Sequence, residues 1–411
     1  MQTKTIWIIN QYASTPETGM GGRHFHLARE LAKQGHKVYL VAASYTHILR
    51  QPPKVKASCQ IQLIEGIHFV WLKMPCYSNA HSKKRIINWF LFAWKLRGLI
   101  NTIADKPDTI LYSSPSLIGF LGSMHIKNVY KNTRLVFEVR DIWPLTLIQV
   151  GGYSANNLFI RFLQWIEDKA YRDSESVISN LKNAVEHMVS RGMDRSKFTW
   201  IPNGFSMDEV KQKQDLPESV LTQLPKDKFV IGYTGTLGIA NALESLIEAA
   251  EILKEQTAMA FVLVGEGKEK ARLKELVKAK GLINIYFIDA IPKAQIQSIL
   301  SFFDVCFLGL TKDPLFKFGV SPNKLMDYFY SGKPIVYAIE SGSYTPVADA
   351  CAGIQVNAED SQAIADAVLE LKQLTQVARD ALGDNGKHYA LKNHEYSALA
   401  KKLENVLVGE Q

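Results

Sequence analysis

What most constrains this chain is an alternation of short apolar runs with longer amphipathic stretches that proceeds, breaks once, and starts again. In the first half, Thr5–Asn10, Lys37–Ala43, His68–Lys73, Thr109–Tyr112, Thr133–Glu138, Ser176–Ser179 and Phe198–Ile201 read as buried strands. Gly22–Gln34 has helical periodicity and stops at Gly35. Strands separated by helices need crossover connections, which lay the strands in parallel with helices on both faces. Ile201-Pro202-Asn203-Gly204 is a turn signal, and a polar stretch follows it to about Asp227. The rhythm then resumes. Strands are expected at Phe229–Tyr233, Ala260–Val264, Asn284–Ile288, Val305–Leu308 and Pro334–Tyr337, with helices at Ala242–Lys254 and Lys268–Lys280. A chain of 411 residues suffices for two such cores. The expected architecture is α/β in two Rossmann-like domains, 1–204 and 205–387, with an intervening cleft. The helical segment 388–411 packs either on the second domain or back on the first.

Apolar residues make up 47% of the chain and charged residues 21%, the balance of a soluble globular enzyme. No apolar run is long enough to span a bilayer, and Ile6–Ile9 is one strand long rather than the core of a signal peptide. Cys59, Cys76, Cys306 and Cys351 stand far apart, as thiols of a reducing compartment do. No His, Cys or acidic cluster has metal-ligand spacing, and no cofactor is expected. The expected location is the cytoplasm.

Charge is unevenly spread. Residues 1–203 carry 26 Lys and Arg against 13 Asp and Glu, whereas 204–411 carry 22 against 27. The basic half should meet something anionic. Its sharpest concentration is Ser82–Arg97, where Lys83, Lys84, Arg85 and Arg97 bracket a stretch that includes Trp89 and Trp94. This is either a helix lying in an anionic membrane interface or a core helix with charged ends. The wider basic excess favours the membrane, at the inner face of the plasma membrane. No nucleic-acid motif accompanies the positive charge, so nucleic acid is not an expected partner.

The most informative segment is Gly319–Val336. Ser321-Pro322 reads as a helix start, with Ser321 as N-cap and Pro322 at the first helical position. Asn323 and Lys324 then fall in the first turn, where free N–H groups and the helix dipole attract anions. Asp327, three residues on, is suited to accept hydrogen bonds from a ribose diol. Taken alone, the same residues describe a capped helix with a solvated charge pair. In the first half, Gly21 and Gly22 sit between a strand and a helix and permit close approach of a phosphate. A dinucleotide fingerprint fails there, because His24 stands where the third glycine is needed. Arg140 and Asp141 follow a strand, at the edge where doubly wound sheets bind ligands. They either act on substrate or pair with each other to close their loop.

These segments occur in the order and spacing of a known family. Together with Pro202-Asn203-Gly204, the Gly235–Asn241 loop and Val264-Gly265-Glu266-Gly267, they resemble the retaining GT-B glycosyltransferases of family four. Asp327 falls where that family places a glutamate, five residues before Gly332. The family's preceding glutamate is replaced by Gly319, and the Gly235–Asn241 loop lacks the usual Arg and Lys. Both departures resemble the branch containing N-acetyl-L-fucosamine transferases of O-antigen and capsule assembly. The resemblance implies a UDP-sugar donor and a lipid-linked saccharide acceptor, with retention and no metal. It further implies that Gly235, Thr236, Leu237, Gly238, Ser321, Pro322, Asn323 and Lys324 bind the donor, with backbone N–H groups near Thr236–Gly238 and Pro322–Lys324 on its diphosphate. Arg140, Asp141 and Lys324 would then serve catalysis. A nucleotide-sugar epimerase of the same fold and a non-catalytic nucleotide-sugar-binding subunit remain open.

Overall fold

The computed structural model describes residues 3–19, 21–78 and 82–409; Met20, within the first glycine loop, lies outside them. The chain divides into two compact units, Met1–Pro202 with Tyr396–Gln411, and Asn203–Glu395.

The first unit is built on β1 (Thr5–Ile9), β2 (Lys37–Ala43), β3 (Cys59–Ile64), β4 (Ile67–Leu72), β5 (Thr109–Ser113), β6 (Arg134–Val139), β7 (Ser176–Ser179) and β8 (Phe198–Trp200). Their order in the sheet is β3-β4-β2-β1-β5-β6-β7-β8. All pair in parallel except β3, which returns antiparallel along β4 at the edge. The sequence pattern misses β3 because Gln residues interrupt its apolar positions and Leu63 is 70% exposed. The central strands are apolar throughout because helices cover both faces, and Ile6, Trp7, Ile8 and Ile9 are all buried. Among those helices are α1 (Gly22–Lys33), α2 (Lys83–Leu96) and α3 (Gly119–Val129).

The last helix, Tyr396–Val408, belongs to this unit. Leu399, Leu403 and Leu407 recur every fourth residue and join the core that contains Phe25 and Leu31 of α1. His36 and Glu404 make a buried contact at 2.9 Å in the same place. The expected segment 388–411 is divided differently. Gln376–Asn393 is one continuous helix of the second unit, so the chain changes unit only at Glu395–Tyr396.

The second unit carries β9 (Phe229–Thr234), β10 (Met259–Val264), β11 (Ile285–Ile288), β12 (Val305–Gly309), β13 (Ile335–Ala338) and β14 (Gly353–Val356). The order β11-β10-β9-β12-β13-β14 is parallel throughout, with an apolar cluster on each face.

Each sheet reverses its winding beside one strand. In the first, β1 lies between β2 and β5; in the second, β9 lies between β10 and β12. Successive helices diverge to opposite faces there, which opens a crevice beyond the carboxyl ends of those strands.

Candidate functional site

In the second unit the switch-point crevice is closed by the loop after β9 and the helix Asn323–Ser331. Lys324 links the two: its Nζ donates to the Tyr233 hydroxyl and to Asn241 Oδ1, both at 2.8 Å. The approach requires glycine at position 235 (φ +139), where a β-carbon would stand 3.0 Å from Lys324 Nζ. Both partners are neutral oxygens, and burial pulls the Lys324 ammonium down to about pKa 8. Among the described residues this half-buried cation has no carboxylate partner, and such a cation is a place for an anion.

The backbone around Lys324 offers further donors, in a pattern that corrects two expectations. Ser321 is not the N-cap and Pro322 is not the first helical residue. Pro322, in an extended conformation, is itself the cap, and no side chain satisfies the helix start. Ser321 instead faces Asn203, accepting its backbone N–H at 3.1 Å on Oγ and its side-chain amide at 3.0 Å on the carbonyl. In the β9 loop, the Gly235 and Leu237 N–H groups are occupied by Val264 and Glu266 carbonyls, and Leu237 is fully buried. Leu237 therefore has nothing to present to a ligand. Among the described residues the Thr236 and Gly238 N–H groups make no hydrogen bond, so alternate amides of the loop remain available.

Asp327 is buried one turn along the same helix, and its carboxylate pairs with Lys293, which follows β11. Desolvation raises its pKa against the opposing pull of Lys293. Oδ1 carries the ion pair, and Oδ2 makes no hydrogen bond among the described residues. Lys293 was invisible to motif reading, since 34 residues separate it from Asp327 in the sequence.

In the first unit the structure gathers Gly21, Gly22, Arg85, Arg140 and Asp141 around one cavity of about 400 Å³. Gly21 starts α1 with no side-chain cap. Arg140 donates its backbone N–H to Ser114 Oγ at 2.8 Å, but its buried Nε has no hydrogen-bond partner among the described residues. Asp141 does not pair with it. That carboxylate accepts from Trp143 Nε1 at 3.0 Å and Thr146 Oγ1 at 2.7 Å, which shapes its own loop.

Beneath the cavity lies a buried charged cluster that sequence reading did not find. Glu138 takes Arg23 Nε on Oε1 at 2.8 Å; on Oε2 it meets Ser113 Oγ at 2.5 Å and His24 Nε2 at 3.0 Å. Desolvation works against the Glu138 carboxylate, but Arg23 and His24 outweigh it and hold its pKa well below the usual value. Burial lowers the His24 pKa. The residue that breaks the dinucleotide fingerprint thus serves the core.

The basic helix divides between the two readings left open for it. Trp89 does not face outward: it is 5% exposed, donates to the Tyr12 hydroxyl at 2.8 Å and packs on Trp143 at 5.2 Å. Arg85 lies over the Tyr12 and Trp89 rings, at the cavity wall. Asn88, Phe92, Ala93 and Leu96 are buried with Trp89, whereas Lys83, Lys84, Trp94 and Arg97 are exposed. A helix that buries only one face produces this split.

Residues 18–209 match the family described as "Glycosyltransferase Family 4", and residues 218–389 match "Glycosyl transferases group 1". The chain belongs to the GT-B glycosyltransferases, with two α/β domains on parallel, Rossmann-like sheets. It is 24% identical over 348 residues to the putative colanic acid biosynthesis glycosyl transferase WcaI of Escherichia coli (strain K12), covering 82% of this chain and 83% of that one. Among solved structures, sucrose-phosphate synthase from Thermosynechococcus elongatus superposes with a TM-score of 0.71 at 15% identity, over 99% of this chain and 98% of that one. HepE of Anabaena in complex with UDP-glucose gives 0.63 at 16% identity, over 99% and 100%. Among the described residues no helix is long and apolar enough to cross a membrane.

Proposed function

We propose that the second unit binds the diphosphate of a nucleotide-sugar at Lys324 and passes the sugar, with retention and without a metal, to an acceptor held in the first unit. The observation that carries this reading is the half-buried Lys324 ammonium, which among the described residues donates to neutral oxygens alone, beside a helix start with no side-chain cap. A diphosphate supplies the missing countercharge, and Asp327 Oδ2 is left to accept from a ribose hydroxyl. As the bond from the sugar to the diphosphate breaks, negative charge grows on the leaving oxygen. Lys324 and the free Thr236 and Gly238 amides stabilise it, each well-placed donor contributing about 3–4 kcal/mol. The leaving oxygen then takes the proton of the incoming hydroxyl, which attacks the same face of the sugar. Arg140 and the start of α1 hold the acceptor.

The HepE complexes with UDP and UDP-glucose support UDP as the carrier. The resemblance to the N-acetyl-L-fucosamine branch supports an N-acetylated deoxysugar. The WcaI relative supports polysaccharide assembly, and with it a lipid-linked saccharide acceptor of O-antigen or capsule type at the inner face of the plasma membrane. A thermal-shift screen over UDP-, GDP- and dTDP-sugars tests the donor. Specific binding at 100 times Kd adds about 2.7 kcal/mol of stability. Calorimetry on Asp327→Ala tests the ribose contact, and unchanged donor affinity in a folded variant removes Asp327 from that role. Release of free sugar with no acceptor present would favour the epimerase reading instead.

A further inference from the structure

The outward face of α2 is as unusual as its cavity face. Ile87, Phe90 and Trp94 are 62%, 45% and 65% exposed. The aromatic surface continues onto the helix Leu158–Asp173, where Phe90 stacks on Phe162 at 6.1 Å and Phe162 on Trp165 at 6.0 Å. Trp165 is itself half exposed.

Two adjoining cavities of about 440 and 350 Å³ open at the C-terminal end of α2. They share Trp94, Arg97 and His125, the larger adds Lys95, and neither has an Asp or Glu in its lining. From Lys83 to Asn101 the chain has five basic residues and no acidic one. Among the described residues the side chains of Lys95, Arg97 and His125 make no ion pair or hydrogen bond. Some other cations of the same unit are held by carboxylates, as Lys37 is by Asp105 and Arg191 by Asp168.

We propose that these cavities are a headgroup site for an anionic phospholipid. Lys95, Arg97 and His125 take the headgroup phosphate while Trp94, Phe90 and Ile87 enter the lipid interface. A free phosphate would use the cations but leave the exposed rings in water; a lipid uses both. Tryptophan suits this boundary because its ring is apolar and its N–H remains wet. The site rests on the membrane-side reading of the acceptor and adds to it a defined recognition point.

Co-sedimentation of the full chain with vesicles of phosphatidylcholine, alone or with phosphatidylglycerol, tests it. The wild type should bind the phosphatidylglycerol vesicles about ten-fold or more tightly. Lys95→Ala/Arg97→Ala/His125→Ala should lose that preference while keeping its melting temperature and UDP-sugar binding. Should the triple variant not fold, Arg97→Glu alone carries the test, because Arg97 is exposed. A Phe90→Ala/Trp94→Ala variant should weaken binding to both vesicles. Wild-type-like binding by the triple variant would overturn the headgroup site and leave the membrane reading standing. A wild type that ignores both vesicles would remove both ideas. Glycerol phosphate in solution binding as tightly as vesicles would overturn the choice of a lipid. Donor binding, read separately, reports on the second unit alone.

Discussion

Lys324 holds its ammonium 4.4 Å from the centre of the Tyr233 ring and donates to that residue's hydroxyl at 2.8 Å. The ring face and the hydroxyl both favour a cation, yet neither neutralises it. The protein thus keeps a partly desolvated charge where the loop after β9 meets the helix Asn323–Ser331.

Lys324→Met should lower turnover at saturating donor by about 10²–10³-fold, the usual loss when a donor to developing charge is removed. Urea stability should hold or rise, because the variant no longer buries an uncompensated charge. Steady-state kinetics and urea titration check the two halves. Undiminished turnover would place the leaving group elsewhere.

Donor binding should depend on pH through the same residue. The free protein half-protonates Lys324 at about pH 8, and a diphosphate beside it raises that value. Between the two values binding therefore takes up a proton. Affinity is full below pH 8 and declines as pH rises through and beyond it. Calorimetry in buffers of different ionisation heat measures the uptake, which Lys324→Met should abolish.

Glu138→Gln should destabilise the first unit by about 3–5 kcal/mol, since it leaves the buried Arg23 without its countercharge. The Glu138 carboxylate has a depressed pKa in the folded chain. Its contribution is present above the ordinary carboxylate pKa and is lost as pH falls towards the depressed one. The wild type should therefore lose stability in acid more steeply than the variant does, as urea midpoints against pH will show.

Gly319, to which the resemblance assigns the place of the family's first glutamate, has its backbone at φ 96 and ψ 158, a region open essentially to glycine alone. Gly319→Ala should cost about 1–3 kcal/mol in urea unfolding. An acidic side chain at this position should likewise destabilise the fold.

Strand positions were legible because a buried parallel strand is an uninterrupted apolar run, as Lys37–Ala43 and Met259–Val264 are. Strand β3, exposed at the sheet edge, carries no such run. Lys324 and Asp327 were legible as neighbours on one helix. The pairing of Asp327 with Lys293 was not, because 34 residues separate them and only the fold brings them together. For the same reason Trp89 and Trp94, five positions apart in a stretch apolar nearly all round, gave no sign of which faces inward. That choice is made by Tyr12 and Trp143, which meet Trp89 from distant loops.

The return of Tyr396–Val408 to the first unit sets the timetable of folding. Leu399, Leu403 and Leu407 complete an apolar face begun by Ile6 and Ile8 of β1 and Phe25 and Leu31 of α1, near the other end of the chain. A fragment ending at Pro202 would leave that face bare to water and to neighbouring chains. During synthesis the first half must wait, half-covered, until Tyr396–Val408 has left the ribosome, so cutting the gene at its midpoint should give two sticky products, one lacking that helix and the other carrying its apolar face unpartnered.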